Sequence, residues 1–285
     1  GLGQRVPMLV VSPWSKGGYV CSETFDHTSI IRFIEQRFKR THNVRSPNIS
    51  KWRRAVCGDL TSAFNFATPN EVVPALPSTA AYVPKDKLRH ASYVPLPPLV
   101  QAVPKQEAGV RASRALPYEL FVRGRQDEAA GKFQLEFVNT GDVGAAFLVY
   151  TAGSTEAPRT YTVEADNRLS DKLPVGAGGA YDFTVHGPNG FLRRFVGKLT
   201  LSGLLHPHGR ALEVKEGYDV ANGNLELRLI NHGRGHTTFT VKSAYTGESV
   251  QREARGGDDA TVYLDLRGQH AWYDLTVTAS TDAGF

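Results

Sequence analysis

The sequence predicts a mixed fold: an incomplete α/β segment, then two tandem all-β sandwiches. Three observations carry that prediction. A short and nearly continuous apolar run, Val6-Pro7-Met8-Leu9-Val10-Val11, is followed by helical periodicity. Eight of the 16 prolines (69, 74, 77, 84, 95, 97, 98 and 104) cluster in one stretch. Finally, GKFQLEFVNTG at 131–141 returns 92 residues later as GNLELRLINHG at 223–233, and YDFTV at 181–185 returns at the same offset as YDLTV at 273–277.

Residues 1–67 form the first region. An apolar run of this kind suits a strand covered on both faces, and Ser12-Pro13 and Gly17-Gly18 then stop and turn the chain. Thr28 or Ser29 caps a helix in which Ile30, Ile31, Phe33, Ile34 and Phe38 share a side, with Arg32, Gln36 and Lys39 elsewhere. A second helical stretch surrounds Trp52 to Cys57, and Asp59 caps a further turn through Phe64. One strand and these helices cannot bury both faces of that strand. The region therefore reads as the end of a domain whose sheet lies upstream.

Residues 68–114 form a Pro-rich linker, because proline fixes φ and removes a donor. Tyr82, Tyr93, Val94 and Leu99 leave open whether it lies on a surface or extends freely.

Two repeats follow, at 115–202 and 203–285, and duplication of one unit explains their matched anchors. Phe133, Leu135 and Phe137 alternate with Gln134 and Glu136, as Leu225, Leu227 and Leu229 do with Glu226 and Arg228. Alternation with period two means strands with one buried face. Further strands are expected at 118–123, 145–152, 159–165, 237–244 and 260–266, with Asn139-Thr140-Gly141 and Asn231-His232-Gly233 as turns. Two sandwiches of immunoglobulin-like size result. The first copy continues through LRRFVGKLTL as a last strand, while the second ends at Gly284-Phe285 and is expected to lack its equivalent.

With 285 residues, 41% hydrophobic and 21% charged, composition is ordinary for a globular protein. No apolar run approaches the roughly 20 residues of a spanning helix. The net charge of +5 is concentrated: Arg or Lys occupies 32, 37, 39, 40, 45, 51, 53 and 54 against the single acid Glu35. Such a face suits anionic lipid, phosphate esters, or acids elsewhere in a larger protein. Without interleaved stacking aromatics, no nucleic acid is expected. Cys21 and Cys57 are either two buried thiols or one bridge.

Asp26-His27 precedes a helix N-terminus, where amides favour an anion and a histidine can donate to a phosphate oxygen. The alternative is that Asp26 caps the helix and His27 is structural. His206 with His208, and His232 with His236, lack a carboxylate or Cys at ligand spacing, so no metal is assigned. Trp272-Tyr273 is either a sugar platform or core aromatics. No nucleophile elbow, P-loop or zinc-protease motif occurs, and no complete active site is present.

RVPMLVVSPWSKGGYV followed by SETFDHTSIIRFIE resembles the last block of the phosphoesterase family of bacterial phospholipases C, which also includes plant and acid phosphatase relatives. WRRAVCGDLTSAFNF and VPALPSTAAYVP resemble the next segments of the bacterial members, and the repeats resemble their paired C-terminal domains. The resemblance implies an alkaline-phosphatase-like parent that releases phosphocholine from phosphatidylcholine or sphingomyelin, leaving diacylglycerol or ceramide. It implies a hydroxyl nucleophile and acidic and Asn ligands for phosphate or a divalent metal. Their motifs, Glu-Asn-Arg-x-Phe-Asp-His and Asp-Glu-x-x-Gly, are missing here, so this chain alone is expected to hold no cofactor and to be inactive.

Only Phe25-Asp26-His27-Thr28-Ser29 carries over, which makes His27, Asp26 and Ser29 the site-lining candidates. The resemblance further implies a secreted bacterial protein, which suits a Cys21–Cys57 bridge. Its expected partners are the upstream catalytic segment and a phospholipid or membrane surface. The repeats then dock to the catalytic domain or present it to a membrane, with Phe191, Arg193 and Arg194 in Gly187–Arg194 as a membrane-facing loop. A stand-alone module for carbohydrate or a protein partner is the alternative.

Overall fold

A computed structural model describes residues 2–76, 78, 99–103, 105, 108–127, 129–199, 212–282 and 284–285. The chain divides into two compact units: Gly1–Cys21 with Thr61–Ala115, and Ser22–Leu60 with Leu116–Phe285. The segment read from sequence as one region, 1–67, is thus shared between them.

In the first unit the strand expected at 6–11 is not formed. Val6, Leu9 and Val11 are 82%, 90% and 83% exposed, and no described residue pairs with the run in a ladder. A strand covered on two faces needs neighbours, and apolar sequence alone does not make one. Ser15 closes the turn after this run, donating its hydroxyl to the Val10 carbonyl at 2.8 Å. Trp14 packs against Phe66, which stacks on Phe64. The Asn65 amide donates to the Trp14 carbonyl at 2.8 Å, and an isolated parallel bridge joins Val20 to Ser113. The described part of the proline-rich stretch has neither helix nor strand, and Val72, Val73, Leu76 and Leu99 are exposed. Tyr82, Tyr93 and Val94 lie outside the described residues.

The second unit carries the β structure. In the first sandwich β1 (Leu120–Asp127), β2 (Lys132–Asn139) and β5 (Asn167–Pro174) form one antiparallel sheet, in the order β1-β2-β5. Against it lie β3 (Ala145–Thr151), β4 (Arg159–Val163), β6 (Ala180–His186) and β7 (Leu192–Lys198), in the order β4-β3-β6-β7. The register sets Phe137 opposite Val122 and Leu169. Alternate residues then meet between the sheets: Phe133, Leu135 and Phe137 from β2, Phe147 and Val149 from β3, Phe183 and Val185 from β6. All are buried, as period two requires.

The second sandwich repeats the plan. β8 (Leu212–Asp219), β9 (Asn224–Asn231) and β12 (Asp259–Leu264) form the sheet β12-β9-β8. β10 (Thr237–Ser243), β11 (Ser249–Ala254) and β13 (Leu275–Ala279) form β11-β10-β13. Phe239 and Val241 sit where Phe147 and Val149 sit in the first copy, and Leu225, Leu227 and Leu229 replace its β2 core residues. Among the described residues β7 has no counterpart in this copy. Phe285 meets Phe239 edge-on at 6.0 Å.

One buried polar residue recurs in both. Asn139 is fully buried and donates to the carbonyls of Val143 and Glu164 at 2.9 and 3.2 Å while accepting from the Gly141 amide at 3.0 Å. Asn231, 3% exposed, donates to Gly235 and Ala254 carbonyls at 2.7 and 3.1 Å and accepts from the Gly233 amide at 2.9 Å. Each amide ties the end of one sheet to the next strand of the other and satisfies carbonyls that burial would otherwise orphan. At Gly141 a Cβ would collide with the Pro117 carbonyl.

Candidate functional site

Two places hold the candidate residues: the start of the first helix and the loop after β6. Helix α1 spans His27–His42. Its N-cap is Asp26, one of the two roles open to that residue, and neither Thr28 nor Ser29. Asp26 accepts from the Thr28 amide at 2.9 Å and its hydroxyl at 2.6 Å, while the Asp26 amide donates to the Ser29 hydroxyl at 3.1 Å. This is a reciprocal capping box. The second Asp26 oxygen pairs with Arg53 of α2 (Lys51–Val56). Burial alone would raise the Asp26 pKa, but the Thr28 and Arg53 hydrogen bonds outweigh it and hold the carboxyl below its ordinary value. Ser29 is fully buried. Asp26 and Ser29 therefore hold the helix start, and of the three candidates only His27 is exposed.

The body of α1 reverses the usual arrangement of an amphipathic helix. Its polar side faces inward. Arg32 donates to the Cys57 carbonyl, and Gln36 donates to Asp59 at 2.8 Å. Glu35 receives both Arg54 nitrogens at 2.8 and 2.9 Å and the Ser46 amide at 2.6 Å. Arg54 also donates to the Ser46 carbonyl. The Arg54 hydrogen bonds, against the opposing effect of burial, bring the Glu35 carboxyl down to about 2. Outward stand Ile30, Ile31, Ile34 and Phe38, at 49%, 42%, 50% and 41% exposure. The basic cluster is accordingly split: Arg32, Arg53 and Arg54 have partners inside the unit, whereas Arg37, Lys39, Arg40, Arg45 and Lys51 are exposed.

This helical layer is fixed to the first sandwich. The Trp52 indole donates to the Thr162 hydroxyl at 2.9 Å, the Gly144 amide to the Ala55 carbonyl at 2.9 Å, and the Thr24 amide to the Tyr118 hydroxyl at 2.9 Å.

The bridge weighed for Cys21 and Cys57 is not formed, and both are free thiols. Cys21 lies 3.6 Å from the Ser62 hydroxyl within the first unit. Cys57 is buried in the second, where burial and then the Asp26 charge push its thiol up to about 11. It is a packing residue and not a nucleophile.

The loop expected to face a membrane is turned to another use. Pro188–Gly190 makes a tight turn. Phe191 then packs on the first core, edge-on to Phe147 at 5.9 Å. Arg193 crosses to the second sandwich, donating to Glu216 at 3.2 Å, to the Tyr218 hydroxyl at 3.2 Å and to the Tyr273 hydroxyl at 2.8 Å. Its guanidinium lies 4.4 Å from the Phe191 ring centre. Tyr218 donates its own hydroxyl to the Leu120 carbonyl at 3.0 Å. Although burial opposes it, the charge of Glu216 raises the Arg193 pKa further, and burial raises that of Tyr218. A carboxylate 8% exposed needs a partner, and Arg193 is that partner. Of the three residues expected to face a membrane, Arg194 alone is exposed, paired with Asp182 at 2.6 Å.

The remaining candidates do not assemble. His232 pairs with Glu213 at 3.0 Å, and Trp272 is 51% exposed while Tyr273 serves the Arg193 network. His206 and His208 lie outside the described residues. Among the described residues no three metal-ligating side chains converge. None of the described helices is long and apolar enough to cross a membrane. Sequence reasoning missed Arg53 and Glu216, whose roles depend on partners 27 and 23 residues away that no local pattern announces.

Residues 112–198 and 212–285 each match the family described as bacterial phospholipase C, C-terminal domain, and residues 1–40 match the phosphoesterase family. The chain belongs to the bacterial phospholipase C C-terminal domain family, and the resemblance seen in RVPMLVVSPWSKGGYV and SETFDHTSIIRFIE holds. It is 55% identical over 288 residues to the non-hemolytic phospholipase C of Burkholderia pseudomallei, covering 100% of this chain and 41% of that protein. It is 48% identical over 285 residues to the non-hemolytic phospholipase C of Pseudomonas aeruginosa, covering 98% and 40%. To the hemolytic phospholipase C of the same organism it is 41% identical over 327 residues, covering 100% and 42%. The chain spans about two fifths of the length of these relatives.

Proposed function

We propose that this chain is the C-terminal portion of a secreted bacterial phospholipase C, one that hydrolyses phosphatidylcholine or sphingomyelin to phosphocholine and a diacylglycerol or ceramide. The observation that carries this reading is the ordered match along the whole chain, phosphoesterase block first and paired C-terminal domains after it. In this reading residues 1–67 complete an alkaline-phosphatase-like catalytic domain. The nucleophile and any divalent metal sit in the preceding portion, and His27 borders the substrate phosphate there. Its exposure at a helix start, with Asp26 and Ser29 occupied by capping, supports that assignment.

The sandwiches are of immunoglobulin type, which the sheets β1-β2-β5 and β4-β3-β6-β7 support. Their role is to dock the catalytic portion, since Phe191 and Arg193 are engaged within the protein. The test is phosphocholine release from phosphatidylcholine and sphingomyelin by the whole protein and by the 285-residue chain. Turnover by the whole protein only is expected. No release by the whole protein, or turnover by the chain alone, refutes the reading.

A further inference from the structure

Helix α1 is turned inside out for a helix on a finished protein. Its hydrogen-bonded residues, Thr28, Ser29, Arg32, Glu35 and Gln36, face the unit's own body, whereas Ile30, Ile31, Ile34 and Phe38 face away. At about 100° per residue, positions 27, 30, 31, 34 and 38 fall within one arc of about 100°. His27 thus belongs to the same stripe and stands at its N-terminal end. We propose that this stripe is the seat of the catalytic portion of the same protein, and that the contact carries His27 into that portion. The inference rests on the reading of this chain as part of a phospholipase C and names the surface by which the two parts join.

Three observations point to this occupant. The phosphoesterase match covers residues 1–40 and so ends inside α1, which makes the stripe part of the phosphoesterase block. The relatives are more than twice as long as this chain, which provides a body large enough to cover it. A helix lying on a membrane keeps its polar face in water, with cations along it. Here that face is occupied by Glu35–Arg54, by Arg32 on the Cys57 carbonyl and by Gln36 on Asp59. The exposed cations Arg37, Lys39 and Arg40 gather near the C-terminal end only, away from His27.

Thiol labelling tests the proposal. His27→Cys and Ile34→Cys are placed separately in the 285-residue chain and in the whole protein, and labelling is located by peptide mass spectrometry. Thr246→Cys, in an exposed turn, serves as the control. Both α1 positions should label at least about tenfold more slowly in the whole protein, with the control unchanged. Hydrogen exchange across residues 27–42 of the unsubstituted proteins gives the same comparison should a variant fail to fold. Equal rates in the two proteins overturn the proposal. So does protection of the 285-residue chain by phosphatidylcholine–phosphatidylglycerol vesicles, which assigns the stripe to a membrane, or by rising protein concentration, which assigns it to a second copy. Protection without phosphocholine release by the whole protein would sink the phospholipase reading and keep the docking surface. Release without protection would do the reverse.

Discussion

The helical layer and the sandwiches belong to one compact unit but are held together by different means. In the sandwiches, fully buried side chains meet between two sheets: Phe137, Phe147 and Phe183 in the first, Leu225, Leu229 and Phe239 in the second. In α1 only Thr28 and Ser29 are buried, and the helix is tied down by a capping box and by the Glu35–Arg54 and Asp26–Arg53 pairs. Apolar burial is insensitive to pH and scales with area. Charged ties depend on ionisation and leave the apolar side of the helix available to something else. The sandwiches turn their apolar residues inward onto a core of their own, whereas α1 turns polar residues inward and leaves Ile30, Ile31, Ile34 and Phe38 exposed.

The comparison can be broken first at its largest effect. Phe147→Ala and the equivalent Phe239→Ala should each cost about 3–5 kcal/mol in chemical denaturation, because a ring-sized cavity opens among residues that cannot collapse into it. A cost as small as that of a surface change at either site would mean that the sandwich is not held by its core.

Next comes the junction between the repeats. Arg193→Met should cost about 3 kcal/mol by leaving Glu216 buried without its counter-ion. Arg193→Met combined with Glu216→Leu should recover most of that loss. Denaturation of the single and double variants checks this, and a double variant no better than the single would show that the tyrosine contacts matter more than the charge pair.

Acid separates the two regions. The Glu35 carboxyl titrates near 2 when folded, against an ordinary 4.5. A lowered folded value stabilises above the ordinary one, and that contribution fades as pH falls from about 4.5 through 2. Hydrogen exchange should therefore show α1 opening before β2 or β9 as pH falls through this window. Glu35→Gln should cost about 1–2 kcal/mol at neutral pH and flatten the acid dependence. Simultaneous opening of helix and strands would erase the distinction between them.

The smallest effect is at Arg194. Arg194→Glu replaces an exposed partner of Asp182 and should leave the denaturation midpoint unchanged. It also separates this residue from its neighbour Arg193, which one loop motif had grouped with it.

Period-two alternation made the central strands legible. β2 and β9 bury the residues that alternate, and β3, β4, β10 and β12 lie within a residue or two of where they were read. β5, β8 and β11 went unread because NRLSDKLP, LEVKEGYD and SVQREA carry charge on their solvent sides, and Leu173 is the lone buried residue of β5. The strand expected at 6–11 failed for the opposite reason, since hydrophobicity was present without neighbours. Four of the five apolar residues grouped on α1 share the exposed stripe, while Phe33 falls outside it and is half-buried. Which side of the helix met the body depended on Arg54, Cys57 and Asp59, which are remote in sequence. Likewise Asn139 and Asn231 were read as turn formers when their amides are the buried knots of the two sheets.

Those paired amides bear on what the two copies can exchange. Phe137 of one copy answers to Leu229 of the other, an exchange that a few compensating methyl groups elsewhere can absorb. The asparagine tolerates no such drift, since any other side chain strands several backbone oxygens at once. The two copies accordingly differ at some core rings and share the buried amide, the part of the repeated unit that substitution can least alter.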